Sequence, residues 1–390
     1  MANTLTFNQV SGIFSEIVAQ ATGQAPLGEV TTSNFVSVAE TALKTGYDPL
    51  LSAVSQVLSR TIFSIRPYSE KFKGLEMDEI RFGNHVRKLT AIDKPIEDDS
   101  RFKLVEGEHA EDMFDVRKPD VLQTNYYGSN VYQKGITIFR DQLDCAFRDP
   151  AEFARFIDMI MTNVTDQLAQ VREEAKRGTL ANLMGAVSLT NSGAGVLHLV
   201  TLYNEFAGTS LTTETVKAPE NFRDFSRWLF GFITTMSQRM SERTSQFHAN
   251  PAGKTIMRHT PVKDQRLYLY APLFNVIDSS VLSTTFNDEY LKMIDYEPVT
   301  YWQSFLTPDS INVDASYINI ETGEEANGSA ELSNIVGVLF DREAAGVVPV
   351  NQWSAATPFE ARGGYTNIWY HTTIKNWNDV TENALVMVLD

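Results

Sequence analysis

The stretch that decides the fold begins Asp149-Pro150-Ala151-Glu152 and runs on as FARFIDMIMTNVTDQLAQVREEAKR to Gly178, with a continuation to Met184 open. Its apolar residues, Phe153, Phe156, Ile157, Ile160, Met161, Val164, Leu168, Val171 and Ala175, fall on one face at helical spacing. Asp149 is placed to cap the first amides, Pro150 suits the first helical position, and Glu152 sits where a capping box wants an acid. Lys176 and Arg177 before Gly178 fit the negative end of a helix dipole. A helix over this stretch is about 42 Å long, against a usual length of about 11 or 12 residues. No second amphipathic stretch of similar length lies beside it to form a coiled coil, and strand-like segments flank it. The spacing therefore predicts one long helix laid across a sheet.

Upstream, Asn125 to Phe139 reads as a strand region feeding that helix. Before it, residues 69–118 differ from the rest of the chain, with 13 acids and 10 bases among 50 positions. Alternating segments within them, Met77–Phe82 and Arg101–Val105, read as strands of a long mixed-charge β-hairpin projecting from the core. Fifty residues without a core of their own are unusual for a passive loop. Residues 1–67 read as an extended or partly helical arm. Val10, Ile13, Phe14, Ile17 and Val18 have helical spacing, and a second helical patch spans Val36–Leu58, broken near Gly46 and Pro49. With so few large apolar residues, the arm is expected to dock on a neighbouring subunit or on the domain surface.

Downstream, Val196–Tyr203 reads as a strand and Pro219–Phe247 as a second amphipathic helix carrying Phe222, Phe225, Leu229, Phe232, Met236 and Met240. Leu267–Tyr270 is a strand, Pro272 opens a short helix, and Asn334–Phe340 is a buried strand. Asn367–Ile374 and Ala384–Leu389 read as a closing, hairpin-like pair. Helices and strands mix without βαβ alternation, which gives an α+β class.

Composition narrows the function. The 390 residues, 43% hydrophobic and 21% charged, describe a globular protein with a large core. No apolar run reaches a membrane span, and the first basic residue is Lys44, unlike a signal or transit peptide. The single cysteine, Cys145, has no partner for an internal disulfide. A net charge of −16 without a basic patch argues against gripping nucleic acid, though not against enclosing it. Motif fragments fail on inspection. Gly253-Lys254-Thr255 lacks the first glycine of a phosphate loop, and Gly193-Ala194-Gly195 lacks the rest of a dinucleotide fingerprint. The six histidines show no metal-ligand spacing, there is no nucleophile elbow, and no carboxylate pair stands out. No catalytic, cofactor-binding or metal residues are assigned.

The order arm, charged hairpin, strand, spine helix, compact region and closing strands resembles the major capsid proteins of tailed phages, the Hong Kong ninety-seven fold. The nearest resemblance is to phages of the phi twenty-nine type. It is carried by Glu70-Lys71-Phe72-Lys73-Gly74, Lys118-Pro119-Asp120-Val121 and Gln133 to Ile138, then by Leu267–Tyr270, Val336–Ala344 and Ile368–Val388. The resemblance implies an N-terminal arm (1–67) and an extended loop (68–119). It also implies a peripheral domain with the spine helix (120–200 and 361–390) and an axial domain (201–360). It implies self-assembly into pentamers and hexamers of an icosahedral shell around double-stranded DNA, without membrane or cofactor. A scaffolding protein and a portal would be partners, and the host cytoplasm the place of assembly. Charged loop residues, Lys71, Lys73, Arg81, Arg87, Lys88, Asp98, Asp99, Arg101, Lys103, Glu111 and Asp112, are then expected at contacts between subunits. Two other readings stay open: a cellular nanocompartment shell of the same fold, and an enzyme whose site is assembled from scattered residues.

Overall fold

A computed structural model describes residues 7–23, 30–44, 46–60, 70–77, 85–92, 96, 118, 120–127, 129–250, 255–281 and 295–390. The N-terminal segment carries three helices, α1 (Phe7–Thr22), α2 (Phe35–Lys44) and α3 (Tyr47–Arg60). Gly46 makes the break between the last two at φ 112°. Pro49 does not break α3, because it lies in the first turn, where a missing amide costs nothing. A charged ribbon follows, β1 (His85–Ile92) paired antiparallel with β2 (Asp120–Tyr127). Residues 78–82 and 101–105, expected as strands, lie outside the described residues. Next come β3 (Asn130–Phe139), α4 (Arg140–Ala146) and the spine helix α5 (Pro150–Leu189).

At 40 residues, α5 is about 60 Å long and runs well past the expected stop. Gly178 costs roughly 1 kcal/mol in a helix, but Leu180, Ala181, Leu183, Met184 and Val187 beyond it are all buried. Tertiary packing overrides the local stop signal. Lys176 and Arg177 are therefore interior residues of the helix, not its C-terminal cations. The start is also simpler than the capping pattern suggests. The Asp149 carbonyl accepts the Phe153 amide at 3.0 Å, its side chain caps nothing, and Glu152 pairs with Arg155 at 2.9 Å.

The two halves of α5 serve different cores. Phe153, Ile157, Ile160 and Val164 pack with Phe14 and Ile17 of α1, Phe35 of α2, Leu50 and Val54 of α3, and Ile138, Ile368 and Tyr370 of a sheet. That sheet has the order β10 (Ala345–Ala356), β11 (Tyr365–Asn378), β3, all antiparallel. The N-terminal helices thus share one core with the spine.

The second half of α5 lies on a five-stranded sheet of order β4-β12-β9-β5-β6, with β4 Val196–His198, β5 Gln265–Tyr270, β6 Glu297–Val299, β9 Ile335–Asp341 and β12 Ala384–Val388. The predicted closing pair does not form. β11 joins the three-stranded sheet and β12 the five-stranded one, because β12 is buried on both faces and needs a neighbour on either side. The predicted strand at Val196–Tyr203 is β4 followed at once by α6 (Leu199–Ala207). The one-turn α7 (Thr213–Val216), α8 (Pro219–Ser241) and α9 (Ala271–Val281) complete a helical layer. On α8, Ile233 is buried and Phe232 only partly so.

Side chains of the five-stranded sheet alternate between two cores. Tyr268, Val338, Phe340, Val386 and Val388 meet α5, whereas Leu267, Leu269, Leu339, Leu385 and Met387 meet α6, α8 and α9. A separate ribbon, β7 (Ile311–Ile318) with β8 (Glu325–Leu332), lies against the end of α5. A Cβ on Gly185 would fall 2.8 Å from Val313 and 2.9 Å from Ala315, so only glycine allows that approach. Among the described residues, no helix is long and apolar enough to cross a membrane.

Candidate functional site

Two buried ion clusters tie residues 70–90 to the body. The first lies at mid-spine. Glu173, Lys176, Arg177 and Thr179 continue the buried face of α5 between its two apolar halves. Lys176, 1% exposed, places Nζ 2.9 Å from both Glu70 Oε2 and Glu76 Oε2. Arg172 reaches Glu70 Oε1 at 3.1 Å, and the Lys71 amide donates to Glu173 Oε2 at 3.3 Å. Arg177 pairs with Glu173 at 2.9 Å and lies over the Tyr301 ring at 3.7 Å. Phe72 plugs the same spot, buried against Tyr268 and Arg177, with its amide donating to Glu297. Its φ of 59° is strained for a side-chain-bearing residue, at about 1–2 kcal/mol, and its buried ring offsets that cost. Gly74 must be glycine, because a Cβ there would meet Tyr268 Oη at 2.7 Å and Arg266 Cδ at 2.8 Å.

The second cluster holds the β1–β2 ribbon. Lys88 Nζ lies 2.8 Å from Asp379 Oδ2 and 2.5 Å from Glu382 Oε1. Both acids sit in the turn that carries the chain from the three-stranded to the five-stranded sheet. Arg258 adds contacts to Glu382 at 2.9 Å, to Thr90 of β1 at 3.1 Å and to the Thr381 carbonyl at 3.1 Å. Burial alone would lower the Lys88 pKa, but Asp379 and Glu382 outweigh it and hold the ammonium above the usual lysine range. For Asp379, burial pushes upward, yet Lys88 and the Thr381 donors bring the carboxyl below the ordinary carboxylate range. Glu382 goes the other way, raised by burial despite Lys88 and Arg258. Burial and the two nearby acids keep the Tyr126 phenol protonated.

The ribbon is two-faced. Lys88, Thr90 and Tyr126 turn toward the body, while Arg87, Leu89, Val121 and Tyr127 are exposed on the other side. Of the charged residues expected at contacts between subunits, Lys71 sits at the mid-spine cluster through its backbone, and Lys73 and Arg87 are exposed. Lys88 pairs within the subunit, with Asp379 and Glu382. Arg81, Asp98, Asp99, Arg101, Lys103, Glu111 and Asp112 lie outside the described residues. Sequence reasoning missed Lys176, Arg177, Arg258, Asp379 and Glu382. A signal was available for the first two, since they sit seven and eight residues beyond Ala169 on the helix's buried face.

Between ribbon and body runs a cleft of about 760 Å³ lined by Met77, Lys88, Tyr126, Arg258, Trp377 and Glu343. Among the described residues, no three His, Cys, Asp or Glu side chains group as metal ligands. The arrangement fixes residues 70–76 and the β1–β2 ribbon to the body at two points.

Comparison with known proteins gives a consistent picture. The sequence model of the Phi29-like phage major capsid protein family matches residues 14–388. No individually curated protein matches the chain. A chain in the capsid structure of Staphylococcus phage Andhra superposes with a TM-score of 0.55 at 10% identity, covering 85% of this chain and 87% of that one. A chain in the structure of the head fiber and inner core protein gp22 of native bacteriophage P68 gives 0.54 at 11% identity, with the same coverage. At such identities the likeness is one of fold.

Proposed function

From the premise that this chain belongs to the Phi29-like phage major capsid protein family, we propose how it builds a shell. The role itself is structural: many copies form the capsid of a virion. In our reading the copies close as pentamers and hexamers of an icosahedral head around double-stranded DNA. Assembly takes place in the host cytoplasm with a scaffolding protein and a portal, and without enzymatic turnover. The core shared by α1–α3, the three-stranded sheet and the first half of the spine serves as the peripheral domain. The five-stranded sheet with α6–α9 serves as the axial domain.

One observation carries this reading: the Phi29-like phage major capsid protein family model matches residues 14–388, nearly the whole chain. Closed shells need heterologous contacts repeated around rings, and an anchored, projecting strap supplies them. The net charge of −16 fits a container that holds DNA without gripping it. A cellular nanocompartment is disfavoured because the family matched is a phage one. Electron microscopy of the purified protein tests the proposal. Rings or closed shells are expected, and a monodisperse monomer under all assembly conditions would overturn it.

A further inference from the structure

Two apolar patches lie on opposite sides of the five-stranded sheet. On the side of α5, the loop after β6 presents Phe305 and Leu306, 80% and 90% exposed. That loop is not slack. Trp302, 1% exposed, donates its indole N–H to the Ile335 carbonyl at 3.2 Å and its amide to Pro308 at 3.0 Å. Gln303 exchanges two bonds with the backbone of Asn312, at 2.9 and 2.6 Å. Phe305 stands edge-on to Tyr301, whose ring is itself fixed under Arg177. Two neighbouring large side chains are thus held out in water on a rigid mount, with little ordering entropy left to lose on contact.

On the side of the helical layer, Phe206 is 74% exposed at the end of α6 and leans on Trp228, which stacks on Phe232 of α8 with centroids 4.9 Å apart. Trp228 and Phe232 are only partly buried, so with Phe206 the three rings form a shelf. Because the sheet's alternating side chains separate the two layers, knob and shelf face away from each other on one subunit. A closed ring uses two different patches of the same chain, since its contacts are heterologous. A patch that met only its own copy would need no counterpart on the far side.

We propose that Phe305–Leu306 of one copy seats on the Phe206–Trp228–Phe232 shelf of the next, as the apolar centre of the ring contact. This rests on the capsid reading above and adds to it the residues that meet. The charged loop then straps a contact whose affinity comes chiefly from these five side chains.

The test uses the full chain in three forms: unmodified, Phe305→Asp/Leu306→Asp, and Phe206→Asp. All three positions are exposed, so melting should match the unmodified protein. Phe305→Ser/Leu306→Ser serves as a second knob variant if the aspartates disturb folding. Under conditions where the unmodified chain forms rings or shells, each variant alone should stay monomeric by sedimentation. Mixed in equal amounts, they should form dimers of twice the 43.7 kDa subunit mass and stop there, because only one intact knob and one intact shelf remain. If the Phe206→Asp protein builds normal particles, the knob meets something else and the inference falls, while the capsid reading stands. Normal particles from the knob variant would overturn it equally. An unmodified chain that forms no oligomer in any condition would overturn the capsid reading and this contact with it.

Discussion

Lys88 shows how closely a single cation can tie a projecting element to the body. It faces Asp379 and Glu382 in a site that excludes most water, with Arg258 as the second cation. Removing one partner from a buried cluster leaves an uncompensated charge, so Lys88→Met should cost about 3–5 kcal/mol. The pH dependence has a definite sign. In the native protein the Asp379 contribution is complete above the ordinary carboxylate range and is lost as pH falls through its lowered folded value. The Lys88 contribution is complete below the ordinary lysine range and is lost as pH climbs through its raised value. Glu382 opposes the pair, its raised value favouring the fold at low pH, with that contribution lost as pH rises through it. Without Lys88, both acids gain from protonation. Urea denaturation should therefore show a larger deficit for Lys88→Met at pH 8 than at pH 5. A deficit that grows on acidification would mean that the cluster is not what holds the ribbon.

At the scale of elements, the spine joins two cores. Ile160, 5% exposed, faces the three-stranded sheet and the N-terminal helices, and Ile160→Asp would bury an unpaired carboxylate at a cost of several kcal/mol. Insoluble or unfolded protein is expected on expression. Phe14, fully buried among Phe35, Phe147 and Phe153, should cost about 3–5 kcal/mol when cut to alanine, measurable as a lowered melting temperature of the unassembled subunit. An unchanged melt would return the N-terminal helices to the status of an external arm. The spine was legible from its apolar period, and so were β5, β9 and α8. The spine's length was not, because Gly178 and two adjacent bases imitate a helix end and only packing against the second sheet overrides them. Sheet membership was not legible either, since Asp379 and Glu382 read as ordinary turn acids until the fold places Lys88 between them.

For the whole molecule, the charged loop separates what the subunit needs from what the shell needs. Leu75 is fully buried, Glu76 binds Lys176, and Lys88 is clamped, so the dispensable part begins after β1. Replacing residues 93–117 with a short Gly/Ser turn should leave a soluble subunit with a near-normal circular dichroism melt and no closed particles. Rim ion pairs are worth about 0–1 kcal/mol each and weaken in salt. Intact protein should accordingly assemble differently as salt is varied, while the shortened protein should not respond. Normal shells from the shortened chain would sink the strap.

The pairing of β3 with β11 also has a consequence for synthesis. Thr137 and Asn367 bond across this junction 230 residues apart in the chain, and Lys88 meets Asp379 across 291. At roughly 5–20 residues per second, a ribosome makes β3 and the first half of the spine about 10–50 s before the strand that covers them. Throughout that interval Ile138, Ile157 and Ile160 have no sheet to close over them. The nascent subunit is thus a slow, high-contact-order folder that presents sticky surface while still tethered.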